Sequence, residues 1–285
     1  MNLNEFYELA TNQLLSIEDD ERYTLIRFLL ADRLSVNANE LDLKSDIALP
    51  ANMIDILQAD LKKLQSGMPL QYVTNIAWFA GDSYFVDESV LIPRPETEEL
   101  VYLIKEEVEL DNDSKVLDIC CGSGCIPIAL AKLFQLNQIH GCDISLEAMA
   151  IAKKNAEVHS INLNLFWADV LEEGFENNSE LKFDLIVSNP PYITSVEGQS
   201  LANSVLNFEP HLALFAPDDD PIRFYRKIAL FSKQQLNPGG SLWFEVNKLY
   251  GVEVERLLRG LGFAETMAQE DISGNLRFVS GFQPF

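Results

Sequence analysis

From residue 115 onward, short apolar runs alternate with helical stretches, and this alternation most restricts what the chain can fold into. "KVLDIC" reads as a strand and "CIPIALAKLF" as a helix. "QIHGCDI" and "SLEAMAIAKKNAEVH" repeat the pair, with Ser145 opening the helix and Glu147 in its first turn. "LNLFWADV" and "FDLIVSN" are strands. Asp220–Pro221 are expected to cap a helix through "IRFYRKIALFSKQQL", which "NPGG" stops. "SLWFEVN" and "YGVEVERLLRGLG" supply another strand and helix. Such alternation predicts an α/β fold, a mostly parallel sheet with helices on both faces. The end, "FAETMAQEDISGNLRFVSGF", reads as two strands turning at Ser273–Gly274 and adds an antiparallel strand.

Residues 1–73 differ. "NEFYELATNQLLSI" places Phe6, Leu9, Ala10 and Leu14 on one helical face, and "RYTLIRFLLADRL" and "LPANMIDILQADLKKLQSG" continue the pattern. This predicts a helical bundle, either a packing domain or a docking surface for a protein partner. With 12 acidic and 6 basic residues it is not a basic arm. Residues 74–93, "TNIAWFAGDSYFVDESVLIP", alternate around "AGDS" and predict a β-hairpin linking the bundle to residues 94–285. "RPETEELVYLIKEEVEL" follows as a helix, with Pro95 near its first position and glutamates in its first turn.

The whole chain has 44 acidic against 21 basic residues, a net charge of −23. A chain this acidic repels phosphate backbones, which disfavours non-specific nucleic-acid binding. No apolar stretch approaches ~20 residues, and "MNLNEFYELA" lacks a basic-then-apolar signal, so a cytoplasmic protein without a membrane role is expected. Cys120, Cys121, Cys125 and Cys142 crowd together but include no CxxC pair. They are expected to be small buried thiols and not a metal site.

"VLDICCGSGCIPIAL" runs strand, small-residue loop, helix. Gly122 and Gly124 let a backbone turn tightly beside a ligand, and the helix aims its free N–H groups at the same place. Asp143 ends the next strand nineteen positions after Gly124, a spacing suited to gripping ribose hydroxyls. Pro127 occupies the third glycine of a dinucleotide fingerprint, and Asp118 would repel a pyrophosphate. An acid there suits a cationic ligand with an α-amino group, such as S-adenosylmethionine. Asp169 ends the third strand and is expected beside adenine, while Trp167 is expected in the core.

"SNPPYI" closes the fourth strand. Each proline pushes the residue before it out of the helical region, giving a stiff extended corner without competing N–H groups. The side-chain oxygen of Asn189 and the carbonyl of Pro190 are acceptors that suit the two donors of a planar –NH₂. Acceptors fixed in advance stabilise charge developing on an amide nitrogen as it attacks a sulfonium methyl. Tyr192 would wall the pocket.

These residues carry a resemblance. "MPLQYV", "VLIPRPETEELV", "VLDICCGSGCIPIALA", "FDLIVSNPPYI", "FEPHLAL", "LNPGG" and "SGNLRFV" resemble the PrmC/HemK family of N5-glutamine methyltransferases that modify peptide chain release factors. The resemblance implies methyl transfer from S-adenosylmethionine to the glutamine amide of a release factor's GGQ loop. It implies a seven-stranded Rossmann-like class I methyltransferase sheet behind a helical partner-docking domain. It assigns Cys120, Cys121, Gly122, Ser123 and Gly124 to the cofactor loop and Asp143 to ribose. Asp169 and Val170 then lie by adenine, and Asn189, Pro190, Pro191 and Tyr192 hold the glutamine amide. Glu209 and Phe85 either touch substrate or serve as a capping carboxylate and a hairpin core aromatic. Arg94 either roofs the cofactor or pairs with an acidic neighbour. Cys120 and Cys121 replace the family's more usual glycine and threonine, and "EVN" its more usual Glu–x–Gly. The alternative is an exocyclic-amine methyltransferase acting on adenine in DNA or RNA.

Overall fold

The computed structural model describes residues 1–43, 45–175 and 181–285. They form two compact units: Met1–Ile76 with Ala202–Phe208, and Ala77–Leu201 with Glu209–Phe285.

The first unit is helical. α1 (Leu3–Gln13) opens with a capping box, Asn2 accepting from the Glu5 amide and Glu5 accepting from the Asn2 amide. α2 (Asp19–Leu34) stops at Ser35, and α4 (Leu70–Thr74) at Asn75, both left-handed; α3 (Ala51–Gln65) lies between them in sequence. Leu3, Phe6, Ala10, Leu14, Ile26, Leu29, Leu57, Leu61 and Val73 form the core. Arg33 ties three of these helices together. It holds Asp60 of α3 at 2.7 and 3.0 Å and the Val73 and Thr74 carbonyls at 2.6 and 3.2 Å. Asp60 is buried, so the pair satisfies a carboxylate that would otherwise be costly to bury.

The second unit begins at Ala77, within a hairpin of β1 (Ile76–Phe79) and β2 (Asp82–Phe85). Ala80 and Gly81 both have positive φ, the turn that matches strand twist. The hairpin is shorter than the sequence suggests, because residues 86–93 form no strand. α5 (Pro95–Glu107) starts with proline at its first turn. Then come β3 (Lys115–Ile119), α6 (Cys125–Phe134), β4 (Gln138–Asp143), α7 (Leu146–Val158), β5 (Leu163–Trp167) and β6 (Phe183–Ser188). Three short helices follow, α8 (Ser195–Gly198), α9 (Asn203–Phe208, grouped with the first unit) and α10 (His211–Leu214). α11 (Arg223–Gln235), β7 (Leu236–Glu245), α12 (Gly251–Gly260), β8 (Ala264–Glu270) and β9 (Leu276–Phe282) complete the chain.

The seven strands lie in the order β5-β4-β3-β6-β7-β9-β8. β5, β4, β3, β6 and β7 pair in parallel, and β9 runs antiparallel between β7 and β8. Alternate strand residues feed two cores, one on each face of the sheet. Leu117, Ile119, Ile186 and Phe244 pack with Tyr225 and Ile228 of α11 and Val254 of α12. Val116, Leu185, Val187 and Trp243 pack with Leu100 and Ile104 of α5 and Ile126 and Leu130 of α6.

"NPGG" does more than stop a helix. α11 ends at Gln235, and β7 already begins at Leu236, with a register break where it meets β6 between Phe183 and Leu185. Asp220–Pro221 likewise precede α11 without capping it; Ile222 holds that position. Strand order reverses between β3 and β6, and a crevice opens at their carboxyl ends. Register pairs Ile119 with Ser188 and Ser188 with Phe244, so the next residues, Cys120, Asn189 and Glu245, emerge side by side.

Candidate active site

The loop after β3 turns through three left-handed residues, Cys120 (φ 63°), Gly122 (φ 50°) and Gly124 (φ 77°). Glycine adopts this region freely, whereas Cys120 is strained there. At Gly124 space matters too, because a Cβ would meet Ala152 atoms of α7 at 3.1 and 3.2 Å. The loop is fixed from its neighbours. The Cys121 amide donates to the Cys142 carbonyl at 3.0 Å, and the Gly122 amide to Asp143 Oδ2 at 2.9 Å. Asp143 Oδ1 accepts from the Ser145 amide at 2.9 Å, and Asn155 Nδ2 donates to the Ser123 carbonyl at 2.9 Å. Burial raises the Asp143 carboxyl, and the amides of Ser145 and Gly122 act against that rise. Burial also pushes the Cys125 thiol up to about 12, so it is neutral at physiological pH. Among the described residues no group of three or more His, Cys, Asp or Glu side chains could hold a metal ion.

Past β6, Asn189 donates from Nδ2 to Glu245 Oε2 at 2.9 Å and to Thr97 Oγ1 at 3.1 Å. Thr97 donates to Glu245 Oε2 at 2.6 Å, and the Tyr192 hydroxyl to Glu245 Oε1 at 3.1 Å. The Asn189 oxygen and the Pro190 carbonyl receive no hydrogen bond from the described residues. Beyond the corner, Asn247 Nδ2 donates to the Tyr192 carbonyl at 3.1 Å and to Glu197 at 2.9 Å. Asn247 therefore fixes the far end of the proline corner.

A cavity of about 420 Å³ lies at this crevice, within the size range of small-molecule sites. Cys120, Cys121, Gly122, Ser123, Asp143, Asp169, Val170, Asn189, Pro191 and Arg94 line it, together with Thr97 of α5, for which its helical sequence predicts no such role. Gly124, Pro190 and Tyr192 adjoin these residues in sequence but do not line the cavity. The Tyr192 hydroxyl is engaged by Glu245, and its ring does not line this cavity.

Two other expectations, for Asp118 and Trp167, need correction. Asp118 does not line the cavity; it is fully buried at the end of β3, and neither carboxylate oxygen has a partner among the described residues. Burial and, secondarily, Asp143 hold its carboxyl well above the usual range. Glu209 is buried and taken up by Arg94 at 2.5 Å and the Ile92 amide at 3.4 Å. Arg94 thus does both things considered for it, lining the cavity and pairing with an acid. Phe85 lies away from the cavity, its ring under Lys154 Nζ at 3.0 Å and its backbone bonded to Asn155. Trp167 is half exposed, not core, and its indole N–H donates to the Ile144 carbonyl at 2.8 Å.

These residues suit an adenosyl amino acid cofactor. Asp143 and Asp169 are acceptors on the wall, small residues and the α6 N-terminus form one side, and the orphaned Asp118 carboxylate lies behind the loop.

A seven-stranded sheet with one reversed strand, and a small-residue loop at its switch point, define a Rossmann-like class I methyltransferase domain. The methyltransferase small domain family matches residues 97–208, and the PrmC N-terminal domain matches residues 5–74. A methyltransferase from Pyrococcus furiosus shares the fold with a TM-score of 0.51 at 16% identity, over 83% of this chain and 100% of that one. The release factor glutamine methyltransferase of Bacteroides thetaiotaomicron is 39% identical over 262 residues, 92% of each chain. That of Flavobacterium psychrophilum is 39% identical over 245 residues, 84% of each chain. This chain belongs to the release factor glutamine methyltransferase family.

Proposed function

We propose that the protein transfers a methyl group from S-adenosylmethionine to the side-chain amide nitrogen of the glutamine in a release factor's GGQ loop. The observation that carries this reading is the pair of acceptors at the proline corner, Asn189 Oδ1 and the Pro190 carbonyl, unengaged among the described residues, in a corner whose Asn189 and Pro191 line the glycine-loop cavity. S-adenosylmethionine, when bound, supplies an electrophilic sulfonium methyl. Asp143 and the Gly122 loop would hold its ribose and Asp169 its adenine, with Val170 alongside. Arg94, paired with Glu209, lines the same cavity.

The chain's own part is orientation. Two fixed acceptors take the two N–H donors of a substrate carboxamide and set the direction of its nitrogen. As the N–C bond forms, the nitrogen gains positive charge and its hydrogens become more acidic, so the same acceptors bind more strongly in the transition state. The proton leaves after transfer, which requires no strong base at the corner. The helical unit, Met1–Ile76 with Ala202–Phe208, is the proposed docking surface for the release factor.

Incubation with labelled S-adenosylmethionine and purified release factor should place one methyl on one glutamine, located by mass spectrometry. Label entering adenine of DNA or RNA, with none in release factor, would reverse the assignment in favour of an exocyclic-amine enzyme.

A further inference from the structure

Glu245 is 1% exposed and receives three hydrogen bonds, from Thr97, Asn189 and Tyr192, while the described structure gives it none to donate. Asn189 Nδ2 donates to Glu245 Oε2 and to Thr97 Oγ1, two oxygens only 2.6 Å apart, so both bonds leave the same side of the amide. Thr97 can accept that bond because its own proton is committed to the carboxylate at 2.6 Å. A carboxylate offers acceptors only. A flipped Asn189 amide would set Oδ1 against Glu245 Oε2 and lose both bonds. The Asn189 oxygen is therefore turned away from Glu245, on a residue that lines the cavity. The three residues lie far apart in sequence, on α5, after β6 and at the end of β7, and the Ser188–Phe244 register brings two of them together.

We propose that Glu245, directly and together with Thr97, is the positioning residue that locks Asn189 with its oxygen toward the cavity and thereby makes the enzyme accept glutamine and reject glutamate. The inference rests on the substrate reading above. A carboxamide brings two donors to Asn189 Oδ1 and the Pro190 carbonyl. A glutamate carboxylate brings none and adds negative charge beside Asp143 and Asp169, which line the same cavity. Sites built to receive a hydrogen-bond donor reject analogues that lack it by large factors, because the buried acceptor stays unpaired.

Glu245→Gln tests this, since glutamine donates as readily as it accepts and no longer dictates the Asn189 orientation. The assay is methyl transfer to a release factor carrying glutamine, with a glutamate-substituted release factor as competitor. Expected are a kcat lower by about 10- to 100-fold, less than the roughly 100- to 1,000-fold of losing a preorganised group outright because Asn189 itself remains, and little change in the KM for S-adenosylmethionine. The glutamate competitor should also gain at least about 10-fold in potency relative to the glutamine substrate. Thr97→Val, which keeps the shape and loses the hydroxyl, should shift both quantities the same way, and Thr97→Ser should restore them. This second pair carries the test if Glu245→Gln does not fold. Wild-type kcat and undiminished glutamine preference in Glu245→Gln, or Thr97→Ser behaving like Thr97→Val, would overturn the inference alone. Failure of the wild-type enzyme to methylate any glutamine would overturn the substrate reading and this inference with it.

Discussion

Asn155 of α7 exchanges two hydrogen bonds with the backbone of Phe85: its Oδ1 accepts from the Phe85 amide at 2.7 Å, and its Nδ2 donates to the Phe85 carbonyl at 2.9 Å. The same Nδ2 donates to the Ser123 carbonyl at 2.9 Å, so one buried side chain ties the hairpin to the glycine loop. Asn155→Ala leaves several buried backbone groups without partners. It should cost about 2–3 kcal/mol in denaturant unfolding and weaken S-adenosylmethionine binding measured by calorimetry.

The Arg94–Glu209 pair gives a second expectation. Glu209 is buried, so removing Arg94 strands a charge away from water. Arg94 keeps about a third of its side chain exposed, which tempers the loss. Arg94→Ala should destabilise by about 2 kcal/mol, and Arg94→Ala combined with Glu209→Gln should recover part of that in the same unfolding assay.

Asp118 carries a pH signature. Burial holds its folded-state carboxyl well above the usual range, with Asp143 adding to the shift. Below the ordinary aspartate pKa both folded and unfolded chains are protonated there. As pH rises, the unfolded chain releases the proton first, so this residue's contribution to stability is lost up to the raised folded value. Ligand-free Asp118→Asn should therefore match the wild type most nearly at acid pH and gain on it steadily toward neutrality. Parallel stability curves for the two proteins across that window would contradict this.

Asp143 supports the loop as well as facing the cavity. Asp143→Ala removes the acceptors of the Gly122 and Ser145 amides. Affinity for S-adenosylmethionine should fall by at least about 10-fold, the equivalent of one charge-assisted hydrogen bond. Unchanged affinity by calorimetry would remove Asp143 from the cofactor site.

The strand–helix alternation, the final hairpin and the glycine loop were legible because each is written in a local period or a short spacing. Ser145 caps α7 as its type suggests, its hydroxyl accepting from the Ala148 amide at 3.1 Å. Glu245 and Thr97 were not legible. Thr97 sits inside a good helix sequence and Glu245 at the end of an ordinary strand, and only sheet register brings the latter beside Asn189. The one local hint was an acid following the apolar run "SLWF", where a buried strand normally carries none. Asp118 misled for the reverse reason: its position in the motif suggested contact, but strand alternation and the turn at Cys120 leave it buried behind the loop. The grouping of residues 202–208 with the N-terminal helices is long-range and has no local signature.

The most direct test of the account is the single-turnover rate of methyl transfer to release factor by Asn189→Ala, with cofactor affinity measured alongside. Removal of the oriented oxygen should slow transfer by at least about 100-fold while S-adenosylmethionine still binds. Transfer near the wild-type rate would show that the proline corner does not aim the substrate nitrogen.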